Sequence, residues 1–318
     1  MLRCAVIGVG YLGRFHAQKY LNIPQVQLVA VCDHDPNTSK RVAQELQVEA
    51  YHNFRDLFGR VDAVSIAATT NQHFAIAQAC IEQGIHVLIE KPITETVEQA
   101  DTLIALAEKH QVTLQVGHLE RFNSARIAVE PYLDAPLFIE SERVAPFNPR
   151  GTDVNVILDL MIHDIDIIQA IVHSPIKRIE AYGMPVLTSL IDVANARIVF
   201  KNGCIANVTA SRVSAQTQRK TRIFQKNAYI CLDYQNKKLE LYKKSPYDMP
   251  QEESFMEKEE FSFPSQDALF EEIKSFIYAI EHRVPPLVTG AEGRDALSTA
   301  SRITSLIHEN LQVHHEAI

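Results

Sequence analysis

The chain has 318 residues, enough for two domains of ordinary size, each with its own core. With 46% hydrophobic and 22% charged residues it has the balance of a globular protein, and no stretch reaches the roughly 18 consecutive apolar residues of a membrane span. A formal net charge of -8 without a basic stripe argues against a nucleic-acid partner, because phosphate neutralisation supplies most of that affinity.

Leu2-Arg3-Cys4-Ala5-Val6-Ile7 reads as a buried first strand rather than a signal segment, since glycines and Arg14 interrupt the apolar run that follows. Further short, β-rich runs lie at Leu28–Cys32, Ala63–Ala67, His86–Ile89 and Thr113–Val116. Runs that are apolar on nearly every residue suit a parallel sheet covered on both faces. Helical spacing fills the intervals at Leu12–Leu21, Thr38–Leu46, Phe74–Gln83 and Val97–His110, and Gly84 stands where a helix-ending glycine belongs. Alternation of strand and helix predicts a doubly wound α/β domain.

From residue 138 the pattern changes. Phe138–Val144, Arg178–Tyr182, Val193–Phe200, Cys204–Arg212, Thr221–Gln225, Tyr229–Asp233 and Leu239–Tyr242 read as strands with few helices between them. Lys201-Asn202-Gly203 is a hairpin signal, because Asn and Gly tolerate positive φ. The expectation is an antiparallel sheet with helices at Leu158–Val172, Asp267–His282 and Asp295–Asn310, and a surface loop over Ser245–Pro264. The expected domains are 1–120 and 121–318. The five cysteines are scattered, mostly in apolar runs, and form no CxxC pair, which fits a reducing compartment and a cytoplasmic location.

Gly8-Val9-Gly10-Tyr11-Leu12-Gly13 follows the first strand and opens a helix. In a dinucleotide site the three glycines allow a tight turn, close approach of backbone to pyrophosphate, and close helix–strand packing, while the helix N-terminus offers unpaired N–H groups. Asp33 ends the second strand, twenty positions after Gly13, where a carboxylate can accept from ribose hydroxyls and repel a 2′-phosphate. The expected cofactor is therefore NAD. Thr69, Asn71 and His73, which follow the Ala63–Ala67 run, either line the cofactor or cap the next helix.

Glu90-Lys91-Pro92 closes another strand at the ligand-facing edge of such a sheet, which sets Lys91 beside the nicotinamide. Farther on, Asp159 and His163 lie four apart on a helix, with Asp166 a turn beyond. A carboxylate beside an imidazole favours and orients its charged form, as proton transfer at a hydroxyl requires. A metal site and a structural His–Asp pair are the other readings of this cluster. No third ligand set is evident, so no metal is expected.

Together, Gly8-x-Gly10-x-x-Gly13, Glu90-Lys91-Pro92 and Asp159-x-x-x-His163, in this domain order, resemble the glucose-fructose oxidoreductase / inositol dehydrogenase / rhizopine catabolism (Gfo/Idh/MocA) family over essentially the whole chain. The resemblance implies an N-terminal Rossmann domain and a C-terminal α+β domain with a large open, mainly antiparallel sheet, often used for oligomerisation. It also implies NAD(P)-dependent oxidation of sugar or polyol hydroxyls, with Lys91, His163 and Asp159 at catalytic positions and a homodimer or homotetramer as the assembly. Gly8, Gly10, Tyr11, Leu12, Gly13, Asp33, Thr69, Asn71, His73, Glu90 and Lys91 are then the expected cofactor contacts. One departure is Asp153-Val154-Asn155-Val156-Ile157-Leu158, where many members are glycine-rich.

At a finer level, residues 10–17, 116–123 and 158–166 are similar to a bacterial branch that oxidises the 3-hydroxyl of UDP-N-acetylglucosamine to a ketone, later converted to a 3-amino sugar for lipid A. On that reading Arg121, Asn123, Arg212, Lys220 and Arg222 meet the sugar nucleotide, since Arg matches phosphate oxygens bidentately. The alternatives are a dehydrogenase of a free sugar or inositol, and a non-catalytic NAD-binding regulator.

Overall fold

Cys4, Ala5 and Val6 of the opening run are wholly buried, as expected of a central strand covered on both faces. The computed structural model describes residues 1–148, 154–244, 256–264 and 266–316. It divides into two compact units, one of residues 1–122 with 267–297 and the other of 123–266 with 298–318. The first unit is discontinuous in sequence, since residues 267–297, which follow the strand-rich half, belong to it.

In the first unit the chain runs β1 (Leu2–Ile7), α1 (Tyr11–Tyr20), β2 (Val26–Cys32), α2 (Pro36–Leu46), β3 (Glu49–Tyr51), β4 (Ala63–Ile66), α3 (Thr70–Glu82), β5 (His86–Glu90), α4 (Val97–His110) and β6 (Leu114–Gly117). All six strands are parallel, in the order β3-β2-β1-β4-β5-β6. That is the Rossmann order, and its direction reverses between β1 and β4, where such sheets bind ligands. β3 escaped the sequence reading because it is three residues long with an exposed Glu49. Gly84 follows α3 with φ +72°, the left-handed position its residue type suggested.

The second unit contains α5 (Ser124–Val129), β7 (Phe138–Val144), α6 (Ile162–Val172), β8 (Ile176–Met184), β9 (Val193–Phe200), β10 (Ile205–Ser211), β11 (Gln218–Gln225), β12 (Ala228–Asp233), β13 (Lys238–Lys244) and β14 (Met256–Ser262). They form an eight-stranded sheet in the order β14-β13-β12-β11-β7-β10-β9-β8, antiparallel except where β10 runs parallel to β7. The hairpin between β9 and β10 turns on Gly203 at φ +94°, with the Asn202 side chain accepting from the Cys204 N–H.

Strand β14 corrects the expected loop over 245–264; residues 245–255 lie outside the described chain. Met256–Ser262 pairs with β13, yet nearly all of it is exposed, so it has no apolar alternation to reveal it. Lys258 reaches Glu240, while Lys238 and Lys243 reach Glu260 and Glu259 across the ladder. Such charges protect an edge strand from pairing with another chain.

Two further helices, α7 (Ala268–His282) and α8 (Gly290–Glu316), complete the fold. In the second unit, Arg143 of β7 donates to the Asp164 carboxylate of α6 at 2.7 Å, and Ser141 adds a bond at 2.9 Å. Both ionic side chains are buried, so removing one leaves the other uncompensated. Asp164→Ala is expected to destabilise the protein by about 3–5 kcal/mol, seen as a lowered urea midpoint by circular dichroism.

Candidate active site

The glycine loop shows why each residue type stands where it does. Gly8 sits at φ +81°, and a Cβ there would lie 2.6 Å from the Ala68 nitrogen. A Cβ at Gly13 would lie 1.8 Å from the Gly8 carbonyl oxygen, so α1 packs against the loop as closely as backbone permits. At Gly10 a Cβ would meet nothing within 4 Å, so this glycine borders open space rather than protein. The helix behind it has no side-chain cap and no acid in its first turn, which leaves its N–H groups and dipole available to an anion.

That space is a cavity of about 960 Å³ lined by Gly8, Gly10, Asp33, Thr69 and Asn71, with His34, His52 and Phe54 among its other walls. Asp33 is buried and accepts from the Val9 N–H at 2.8 Å and the Asp35 N–H at 3.0 Å. The carboxylate thus braces the glycine loop and keeps lone pairs for a further donor. Thr69 donates to Asn71 at 2.6 Å and makes no cap bond with α3. Tyr11 is 73% exposed and Leu12 38% at the start of α1.

His73 is placed otherwise than a cofactor contact would be. It is buried, with Nδ1 2.9 Å from the Pro92 carbonyl and Nε2 3.0 Å from the Ala68 carbonyl, so that the single N–H of a neutral ring can donate to either of the segments that follow β4 and β5. Burial lowers its pKa, outweighing the two carbonyls that favour the charged ring. A group held neutral in the fold binds protons better when unfolded, so stability should drop as pH falls below about 6.5. The melting midpoint is expected to decline on acidification, less steeply in His73→Gln.

The Glu90-Lys91-Pro92 turn contains a cis Lys91–Pro92 bond. Glu90 is turned inward: its Oε1 lies 2.9 Å from His16 Nε2, and its Oε2 accepts from the Lys91 N–H at 3.3 Å. It lies over Gly117 of β6, where a Cβ would come within 3.0 Å of the carboxyl group. Glu90 therefore shapes the turn that carries Lys91, and neither residue is among those lining the cavity. Gly117→Ala should push the carboxylate aside and reduce turnover more than cofactor affinity, measured as a fall in kcat with the NAD⁺ Kd within about threefold.

In the second unit Asp159 lies in a π-turn over Ile157–Met161, where the Ile162 N–H bonds the Ile157 carbonyl five residues back. His163 follows at the start of α6, and both side chains are half-buried. Single π-turns of this kind recur at functional sites. Asp166 is buried on the same helix.

Of the residues expected at the substrate, Arg121 is buried beside Glu292 at 2.5 Å, and Asn123 caps α5 while donating to the Tyr234 carbonyl. Arg212 is buried too, donating to Asp192 and to the Val154 carbonyl, both at 2.7 Å. Burial works to raise the Asp192 carboxyl, but the Thr188 and Val186 N–H groups and Arg212 hold it well below the usual carboxylate range. These three side chains hold the fold in place. Lys220 and Arg222 are more open, 3.5 Å from Asp233 and 3.8 Å from Glu140.

Residues 2–118 match the model of an oxidoreductase family with an NAD-binding Rossmann fold, and residues 139–230 match the GFO/IDH/MocA C-terminal domain. A UDP-N-acetylglucosamine 3-dehydrogenase from Acidithiobacillus ferrooxidans is 38% identical over 98% of this chain and 99% of its own. The chain belongs to the GFO/IDH/MocA oxidoreductase family. A crystal form of the same-named Acidithiobacillus enzyme superposes with a TM-score of 0.90 over 96% of this chain and 97% of that one. A myo-inositol 2-dehydrogenase from Thermotoga maritima is 27% identical over 100% of this chain and 99% of its own.

This family member is thus an NAD-dependent oxidoreductase acting on CH–OH groups. The uncapped helix end, the open space at Gly10 and the Asp33 carboxylate fit the dinucleotide. No helix among the described residues is long and apolar enough to cross a membrane. The residues that sequence reasoning missed are His16, which bonds Glu90, and Glu272, whose carboxyl lies within 4.8 Å of both; nothing in their spacing links them to it.

Proposed function

We propose that the protein oxidises the 3-hydroxyl of UDP-N-acetylglucosamine to the ketone, as a step towards a 3-amino sugar of the lipid A kind. The observation that carries this reading is the 38% identity to an enzyme of that name over nearly the full length of both chains. The 27% identity to an inositol dehydrogenase supports a free polyol or sugar as the second reading.

Bound NAD⁺ supplies the hydride acceptor. Gly10 would leave room for its pyrophosphate, with Gly8 and Gly13 shaping the loop, and Asp33 would take the ribose hydroxyls. Lys91 or His163 is the base that takes the proton of the sugar hydroxyl, and Asp159 supports the histidine. Lys220 and Arg222 are the cations best placed by their exposure to meet a diphosphate. The five buried, unbridged cysteines support a reducing, cytoplasmic setting. Phe138, Phe224, Tyr229 and Tyr242, a row of neighbouring rings with centroids 5.0–5.8 Å apart on the second unit's sheet, support a homodimer or homotetramer through that face.

The test is NADH formation with UDP-N-acetylglucosamine, UDP-glucose and myo-inositol in parallel. A kcat/KM at least about tenfold higher for UDP-N-acetylglucosamine is the expected result. Preference for myo-inositol would favour the second reading, and inertness towards all three would revive a regulator.

A further inference from the structure

Helix α7 brings Glu272 to the back of the strand end that carries Glu90 and Lys91, inside the first unit. Glu272 is 0% exposed, and neither carboxyl oxygen has a hydrogen-bond partner. His16 is just as buried, and its Nδ1 is also unpartnered. One ligand atom from each of His16, Glu90 and Glu272 lies within 4.8 Å of the others, yet only the His16–Glu90 contact is direct.

A carboxylate without donors in an apolar interior is strongly disfavoured, and the usual remedy is to keep the proton. Burial first, and then the Glu90 carboxylate, push Glu272 well above the ordinary carboxyl range. The titratable groups turned towards it are His16 and Tyr20 of α1 and Glu90 of β5. Arg14 and Lys19 of α1 face Glu45 and Asp267 instead, and Arg121 faces Glu292. Gln115 of β6 fixes the helix by donating to the Glu272 backbone carbonyl at 3.1 Å.

We propose that Glu272 is a positioning residue for Lys91: with His16 it closes a polar pocket that seats the Glu90 carboxylate against Gly117 and so fixes the turn carrying the lysine. This rests on the reading of Lys91 as a proton-transfer residue. The same three side chains have the make-up of a divalent-cation site. The direct His16–Glu90 hydrogen bond and the sealed setting favour a proton-bearing pocket over a metal.

Glu272→Gln keeps a neutral donor of the same shape, whereas Glu272→Leu removes it. Glu272→Leu is expected to keep or raise the melting midpoint, since an apolar group replaces a buried, unpartnered one. Its NAD⁺ affinity should stay within about threefold while kcat falls about 10- to 100-fold and the pH profile of kcat/KM moves, because the lysine is misplaced rather than lost. Glu272→Gln should retain both kcat and the profile. Amide NMR of the cofactor-free protein supplies a reading independent of turnover: the Lys91 and Gly117 backbone resonances, which the Glu90 carboxylate touches, should move in Glu272→Leu and stay put in Glu272→Gln.

An unchanged kcat, pH profile and set of Lys91 and Gly117 resonances in Glu272→Leu would reduce Glu272 to a packing residue and overturn the proposal. Stoichiometric Zn²⁺ or Mn²⁺ in the purified protein, absent from both variants, would overturn it in favour of a metal site. Moved resonances in Glu272→Leu, when the wild-type protein oxidises no sugar, would leave the pocket standing and remove only the functional reading.

Discussion

Lys91→Ala is expected to lower kcat by about 10²–10⁴-fold, the range that a well-placed proton-transfer group contributes. NAD⁺ binding should change by no more than about threefold, because the cavity walls at Gly10 and Asp33 do not include the lysine. NADH absorbance with UDP-N-acetylglucosamine gives the first quantity and calorimetric titration of NAD⁺ the second. Wild-type turnover in this variant would remove Lys91 from the mechanism. His163→Ala provides the companion measurement: whichever variant loses the acid limb of the pH profile identifies the base.

The second large effect is at Gly13. An added methyl would stand 1.8 Å from the Gly8 carbonyl oxygen and 3.3 Å from the Ala67 Cβ, so α1 must lift off the loop. Overpacking of this kind costs about 1–3 kcal/mol. It also moves the helix N–H groups away from the anion. Gly13→Ala should therefore lose both stability and cofactor affinity, the latter by about a hundredfold if roughly 3 kcal/mol is forfeited. Gly10→Ala isolates the second effect. Nothing of the protein stands within 4 Å of its Cβ, so its melting midpoint should match wild type while NAD⁺ binding still weakens. Equal behaviour of the two alanine variants would contradict these separate roles.

The alternating first half was legible because β4 and β5 are short apolar runs covered on both faces, and Gly84 and the glycine loop punctuate them in the right places. Asp33 was legible by spacing alone. What stayed hidden has one physical cause: contacts between residues distant in sequence leave no periodic trace. The inward turn of Glu90 depends on His16, 74 positions earlier, and on an absent side chain at Gly117. Arg121 and Arg212 read as free cations because Glu292 and Asp192 cannot be paired with them from spacing. β14 failed for a different reason, since an edge strand laced with Lys and Glu has the composition of a loop.

The return of residues 267–297 to the first unit has a consequence for synthesis. Leu269, Ile273, Phe276 and Ile277 of α7 pack in the same core as Cys4, Val6, Tyr20 and Val31. When residue 122 leaves the ribosome, that core still lacks its covering helix, and the missing piece follows some 150 residues later. At about 5–20 residues per second the nascent nucleotide domain waits on the order of ten seconds or longer with an apolar face open. It is in that interval that a chaperone has something to hold, and a chain cut at residue 122 would never leave it.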